Sequence, residues 1–260
     1  MTSGWHHTDW HYEWSPSMSE SDNHFPILEL RRYAMQPGQR DALADPFDHE
    51  FIAELESLPM RVIGQFRDVD DADLWVWMRA FRNHRERAES LTSFYTSPFW
   101  LQRRQRVNAT LISSDDVHLL VPAWPGSALG QTGTGWPVDR SRAAEGALYV
   151  QIMPLPEHRS MPDLRAAWES LMADHQARAW ACYVSDNAPN SYPRLPVHEG
   201  RQVLVVFALF ATLATLDQCL ADDLSAHLFH WAGVPAERTV VAPWQGRHRL
   251  LPTGRSALRA

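Results

Sequence analysis

Apolar and polar residues alternate from Ile27 to Tyr33 in the order Ile, Leu, Glu, Leu, Arg, Arg, Tyr, the pattern of a half-buried strand, and Pro37 with Gly38 ends it. The period then changes. Between Gln39 and Leu58 the apolar residues Leu43, Phe47, Phe51, Ile52, Leu55 and Leu58 recur every three or four positions, which predicts a helix with one apolar stripe, interrupted or delayed by Pro46. Met60 to Asp68 and Leu74 to Phe81 follow as two strands around the acidic turn Asp70, Asp71 and Asp73. A helical stretch from Asn83 to about Tyr95 stops before Pro98, a second runs through Trp100 to about Asn108, and Asp116 to Val121 reads as a fourth strand. Strand, helix, strand, strand, helix, strand is the order of the ferredoxin-like or split βαβ unit, in which helices cover one face of a four-stranded antiparallel sheet.

The order then repeats. Pro122 to Glu145 is rich in Pro, Gly, Ser and Thr and reads as a linker. After it come a strand at Ala147 to Leu155, a helix at Pro162 to Gln176, strands at Ala179 to Ser185 and Gln202 to Ala211, a helix from Leu213 to about Trp231 and a last strand at Thr239 to Leu251. The pattern predicts an α+β fold of two ferredoxin-like modules, residues 25–122 and 146–260, joined by 123–145 and fused into an intrachain dimeric α+β barrel in which each sheet buries the free face of the other. Residues 1–24 carry Trp, His, Ser, Asp and Glu with almost no aliphatics and read as a tail that is flexible or orders by docking.

Composition narrows the chemistry. All 24 residues in the Lys+Arg count of the 260-residue chain are arginine, so Schiff-base catalysis, lysine-linked pyridoxal phosphate and the P-loop lysine have no side-chain amine. A formal net charge of −7 with scattered arginines argues against a nucleic-acid partner. The longest apolar run, Val203 to Ala211, is far too short to span a bilayer, no signal-peptide pattern opens the chain, and Cys182 and Cys219 match no zinc or redox spacing. The expected setting is cytoplasmic, with no membrane partner; a homo-oligomer is left open.

The segment Glu29-Leu30-Arg31-Arg32-Tyr33 with Pro37-Gly38 resembles the opening of NIPSNAP proteins, whose ferredoxin-like subunits form dimeric α+β barrels. Val76-Trp77-Met78-Arg79-Ala80-Phe81, then Arg87, Phe94-Tyr95, Pro98, Trp100 and Asn108-Ala109-Thr110, is similar to a stretch of bacterial NIPSNAP-type proteins. The likeness covers residues 27 to about 121, and more faintly Leu251 to Ser256, in a tandem two-module form. It departs from the common pattern at Asp73, Arg79 and Phe81, where glycine, tryptophan and tyrosine are usual. The resemblance implies a fold more than a reaction, since related barrels include cofactor-free monooxygenases, haem enzymes and proteins without known catalysis.

Period two places Trp75, Trp77, Arg79 and Phe81 on one face of their strand. The functional reading is a small-molecule pocket between sheet and helices, with Tyr33, Trp77, Arg79, Phe81, Arg87 and Trp100 as candidates: Arg79 and Arg87 grip a carboxylate or other anion while Trp77 and Trp100 flank an organic body. The internal alternative is an ion pair of Arg79 with Glu50, Glu54 or Glu86. His7 and His11 stand four apart in the tail, but nothing supplies further ligands at fixed spacing, so no metal site is expected. No cofactor is expected either. A haem reading would draw its axial ligand from His84, His118, His175, His227 or His230, with His230 the nominee. The expected function is a small-molecule enzyme, with specialised metabolism as its setting, acting without a nucleotide cofactor on an aromatic or carboxylate-bearing compound. The alternatives are a non-catalytic binding or scaffold protein and a haem-dependent enzyme.

Overall fold

The computed structural model describes residues 25–129, 145–155, 160–222, 224, 230 and 246–258. The tail 1–24, most of the expected linker and the continuation of the last helix through His227 and Trp231 lie outside the described residues. Strands β1 (Ile27–Met35), β2 (Arg61–Asp68), β3 (Leu74–Phe81), β4 (Leu111–Pro122), β5 (Ala147–Pro154), β6 (Ala179–Ser185), β7 (Val203–Phe210) and β8 (Gly246–Pro252) close into one antiparallel barrel in the order β1-β3-β2-β8-β5-β7-β6-β4. Two runs of that ring, β4-β1-β3-β2 and β8-β5-β7-β6, have the same relative strand order. They meet along short seams, where Phe66–Asp68 face Pro252–Leu250 and Leu120–Pro122 face Ser185–Tyr183.

Alternation along each strand divides the core. Leu28, Leu30, Val76, Met78, Val150, Val205, Phe207 and Leu250 fill the barrel interior. The outer face of β1 to β4 is covered by α1 (Arg40–Pro46), a π-helical turn (Phe47–Phe51), α2 (Ile52–Glu56), α3 (His84–Thr96) and α4 (Pro98–Ala109), which pack Leu43, Phe47, Phe51, Leu91 and Phe94 on Tyr33, Trp75, Trp77 and Phe81. On the other half, α5 (Met161–Asp174) and α6 (Leu213–Ala221) pack Leu164, Trp168, Met172 and Leu216 on Tyr149, Val206 and Phe210. No helix of the described residues is long and apolar enough to cross a membrane.

Local chemistry sets the helix starts. Asn83, Ser97, Ser160 and Thr212 each accept a hydrogen bond from a backbone N–H of the first turn, and Pro98 and Pro162 occupy first-turn positions whose N–H groups have no helical partner. Pro46 cannot donate within the ladder, and the helix passes it by widening into the π turn. There Phe47 and Phe51 stack with centroids 5.7 Å apart, and Asp48 is turned inward.

Two expectations change. Strand β4 begins at Leu111 rather than Asp116: Ser113, Ser114 and Asp115 show no apolar period, yet the strand pairs with β1 across register shifts near Arg32 and Ala34. The start of the expected linker is also packed. Trp124 is buried, Ser127 donates to the Cys182 carbonyl, and the Leu129 N–H donates to the Tyr183 hydroxyl. The two cysteines are free and buried.

Asp48 anchors the far end of the chain. Its carboxylate accepts from Gln65 Nε2 at 2.8 Å, from Thr253 Oγ1 at 2.7 Å and from the Arg255 N–H at 3.1 Å. Asp48→Ala leaves those buried donors unmet, so it should lower stability by more than about 2 kcal/mol in urea unfolding. A loss below about 0.5 kcal/mol, the scale of an ordinary surface substitution, would show that the anchor does not hold the segment.

Candidate functional site

Between the β1–β3 sheet and its helices lies a cavity of about 130 Å3 whose lining includes Tyr33, Phe47, Trp75, Trp77, Arg79, Phe94, Tyr95 and Trp100. Register explains the grouping. Across the antiparallel β1–β3 pair Glu29 faces Arg79, Arg31 faces Trp77 and Tyr33 faces Trp75, all on the face covered by helices. Phe47 meets Trp75 and Trp77 edge-on at 4.8 and 4.9 Å between centroids, and the two indoles stack at 5.9 Å.

Behind this aromatic wall is a fully buried ion cluster. Glu29 Oε2 accepts from Arg31 Nη1 and from Arg79 Nε, both at 2.7 Å, and Glu29 Oε1 accepts from Arg87 Nε at 2.7 Å. Arg31 Nε donates to the Tyr33 hydroxyl at 3.0 Å, while Arg87 Nη1 donates to Asn190 Oδ1 and Ser191 Oγ at 3.0 and 2.9 Å. Among the described residues no second carboxylate pairs with these arginines, so three guanidiniums share one carboxylate and two positive charges are in excess.

Burial by itself would raise the Glu29 pKa, but the guanidiniums of Arg79, Arg31 and Arg87 override it and hold the carboxyl well below the usual carboxylate range. Burial pushes the Tyr95 hydroxyl up, against the opposing pull of Arg79, so it keeps its proton at neutral pH. Arg79 is the arginine of this cluster that also lines the cavity. Its Nη1 and Nη2 are buried with no hydrogen-bond partner among the described residues, as are Nε1 of Trp75 and of Trp77. The Arg79 guanidinium lies 5.2 Å from the Trp77 ring centroid and 5.6 Å from that of Phe81.

Of the sequence candidates, Tyr33, Trp77, Arg79 and Trp100 line the cavity. Phe81 and Arg87 do not: Phe81 is buried beside Arg79, and Arg87 reaches Glu29 from α3. The expected internal partners of Arg79 are also wrong. Glu50 pairs with Arg103 and Arg106 and Glu86 with Arg82, while the partner of Arg79 is Glu29. Glu29, Arg31 and Tyr95 are not among the sequence candidates, nor is Trp75, although period two places it on the face of Trp77 and Arg79. The signal for Glu29 and Arg31 is the odd-numbered face of β1, where they fall together with Tyr33. His230 is exposed and does not line the cavity. With no histidine among the described residues that line it and a volume of about 130 Å3, the cavity does not fit a haem held by an axial imidazole.

No protein-family model and no curated protein matches the chain. The chain is similar in structure to a provisionally assigned monooxygenase from Fusobacterium nucleatum, with a TM-score of 0.51 at 7% identity over 89% of this chain and 94% of the other, a likeness of fold. A second provisionally assigned monooxygenase, from Lactobacillus acidophilus, gives a TM-score of 0.49 at 13% identity over 88% and 94%. An uncharacterized NIPSNAP-like domain protein from Burkholderia xenovorans is 25% identical over 35% of this chain and 79% of its own, with a TM-score of 0.32.

The cluster makes stability depend on Glu29. Glu29→Gln leaves the buried arginines without a counter-charge and should cost about 3–5 kcal/mol at neutral pH. The folded-state pKa lies below the unfolded one, near 4.3, so this contribution is complete above the unfolded value and is lost as pH falls through it toward the folded one. The stability difference between the parent and Glu29→Gln proteins, measured by denaturant unfolding, should narrow by about 1.4 kcal/mol per pH unit as pH falls from the unfolded value toward about pH 3, because the unfolded-state carboxylate takes up its proton while the folded-state one stays ionised. A constant gap between the two would contradict this account.

Proposed function

We propose that the cavity binds a single-ring aromatic compound bearing an anionic or carbonyl oxygen, and that the protein is an enzyme acting on it without a nucleotide cofactor. The observation that carries this reading is the pair of unpartnered Arg79 Nη atoms at the edge of an aromatic space. A guanidinium buried in excess of its counter-charge is costly, and an oxyanion supplied by a ligand would complete its hydrogen bonds. Size supports the ring count, since an apolar cavity of about 150 Å3 accepts benzene and this one is about 130 Å3. Arg79 as cation and the protonated Tyr95 as donor both border the cavity, a combination that stabilises negative charge growing on a substrate oxygen.

The monooxygenase assignment of two fold neighbours is compatible with such chemistry, and it bears on this chain only as a direction for assays. The repeated relative strand order in the two halves of the barrel supports the reading of two fused ferredoxin-like modules, the first of which holds the working pocket. Binding without catalysis is the second reading. It is favoured by the lining, which among the described residues contains no histidine or carboxylate to serve as a general base.

Tryptophan fluorescence titration separates these readings from a filled structural core. Benzoate should bind more tightly than toluene, and Arg79→Met should weaken benzoate by about 10- to 100-fold while leaving toluene unchanged. Arg79→Met should itself fold, because Glu29 keeps Arg31 and Arg87. Equal benzoate affinity in the folded variant overturns the anion site. Consumption of the bound aromatic in air-saturated buffer, slowed in Tyr95→Phe with little change in binding, supports the enzyme; a tight ligand that is never consumed supports the binding protein.

A further inference from the structure

The inner face of the barrel carries a second polar cluster, separated from the anion site by the sheet itself. Arg31 and Arg32 are neighbours on β1, so one side chain points to the helices and the other into the barrel. On β4 the same alternation sets Asp116 and His118 opposite to Val117 and Leu119, both buried, of which Leu119 belongs to the helix-covered core. The segment after β6 folds back along this strand: the Asp186 N–H donates to the Leu119 carbonyl at 2.9 Å and the His198 N–H to the Val117 carbonyl at 2.8 Å. That clamp brings His198 over the strand, with its ring centroid 4.7 Å from that of His118.

One ring nitrogen from each histidine and a carboxylate oxygen of Asp116 lie within 4.8 Å of one another. We propose that Asp116, His118 and His198 form a binding site for a divalent first-row transition metal ion. Two imidazoles and one carboxylate are the ligand set of open zinc and non-haem iron sites, which keep coordination positions for water or a small ligand. Metal–ligand bonds of about 2.0–2.2 Å put tetrahedral donors about 3.4 Å apart, so side-chain rotations that close the widest gap by at most about 1.4 Å complete the site.

Supporting contacts hold the carboxylate. Arg32 Nη2 donates to Asp116 Oδ2 at 2.7 Å and to Oδ1 at 3.0 Å, and His198 Nε2 lies 2.8 Å from Oδ1. Arg32 Nη1 lies 3.1 Å from His248 Nε2, and a guanidinium only donates, so that ring nitrogen accepts and His248 Nδ1–H donates to Asp68 Oδ2 at 2.7 Å. This chain through β1, β8 and β2 is the kind of outer support that orients metal ligands. The Arg32 charge opposes any cation, which disfavours ions held by charge alone, such as Mg2+ and Ca2+, and favours those that imidazole nitrogen selects. The His118 side chain is buried, while the Asp116 and His198 side chains are 33% and 21% exposed, so an ion has a path from solvent.

The experiment is calorimetric titration of Zn2+ into the full chain carrying His6→Ala, His7→Ala, His11→Ala and His24→Ala, which removes the imidazoles of the tail. One equivalent should bind and raise the unfolding temperature, and Co2+ should give visible d–d absorption. His198→Gln keeps a side chain that can bond Asp116 but loses the imidazole, and it should weaken binding by more than the ~10–100-fold that loss of an outer support costs; Asp116→Ala should do the same. Near-UV circular dichroism establishes that each variant is folded. No stoichiometric binding in the tail-substituted chain, or binding that His198→Gln and Asp116→Ala leave unchanged, overturns the site.

Discussion

Glu29 holds three guanidiniums with two oxygens, and most of the first half of the barrel is arranged around that fact. Arg31 comes from the same strand, Arg79 from the paired strand β3 and Arg87 from helix α3, so one carboxylate ties sheet to helix. Arg87 extends the tie to Asn190 and Ser191, in the segment between β6 and β7. The register that places Glu29 opposite Arg79 also places Trp77 and Trp75 opposite Arg31 and Tyr33, so a one-residue slip would expel charge and aromatics together. Buried charge of this kind rarely adds stability over a well-packed apolar core. Its use is directional: Arg79, which lines the cavity, spends Nε on Glu29, which leaves its two outer nitrogens without a partner among the described residues.

The elements were more legible than the site. Strands β3 and β6 run over the residues that alternation assigns to them, and the position of Arg79 on an aromatic face follows from period two alone. Glu29 was missed for a physical reason. Alternating apolar and polar residues from Ile27 to Tyr33 ordinarily mark a strand with one wet face, but β1 is covered by helices on one side and by the opposite sheet on the other. Its polar positions are therefore buried with its apolar ones. Closure of the barrel is a long-range event that no local pattern in β1 encodes. The start of β4 was hidden in the same way, since Ser113 to Asp115 enter the sheet by pairing rather than by burying apolar surface. His198 was hidden in a Pro-rich stretch, and only the backbone bonds of that stretch to β4 bring it to Asp116.

The two halves of the barrel allow an internal comparison. In the first, Ile27 faces Phe81 and, two residues on, Glu29 faces Arg79; in the second, Ala147 faces Phe210 and Tyr149 faces Ala208. The positions that hold a buried ion pair in one half thus hold a tyrosine and an alanine in the other. Tyr149 donates to Gln151, and Trp168 packs among the neighbouring apolar side chains. The same relative strand order is therefore achieved without buried charge at that register, and the architecture alone does not call for Glu29, Arg31, Arg79 and Arg87. A cluster that costs desolvation, exceeds its counter-charge and leaves donors unmet is one that folding by itself would favour replacing with apolar residues. What distinguishes the first half is the aromatic cavity at the open end of Arg79, and a ligand oxygen there is the partner that would offset the cost.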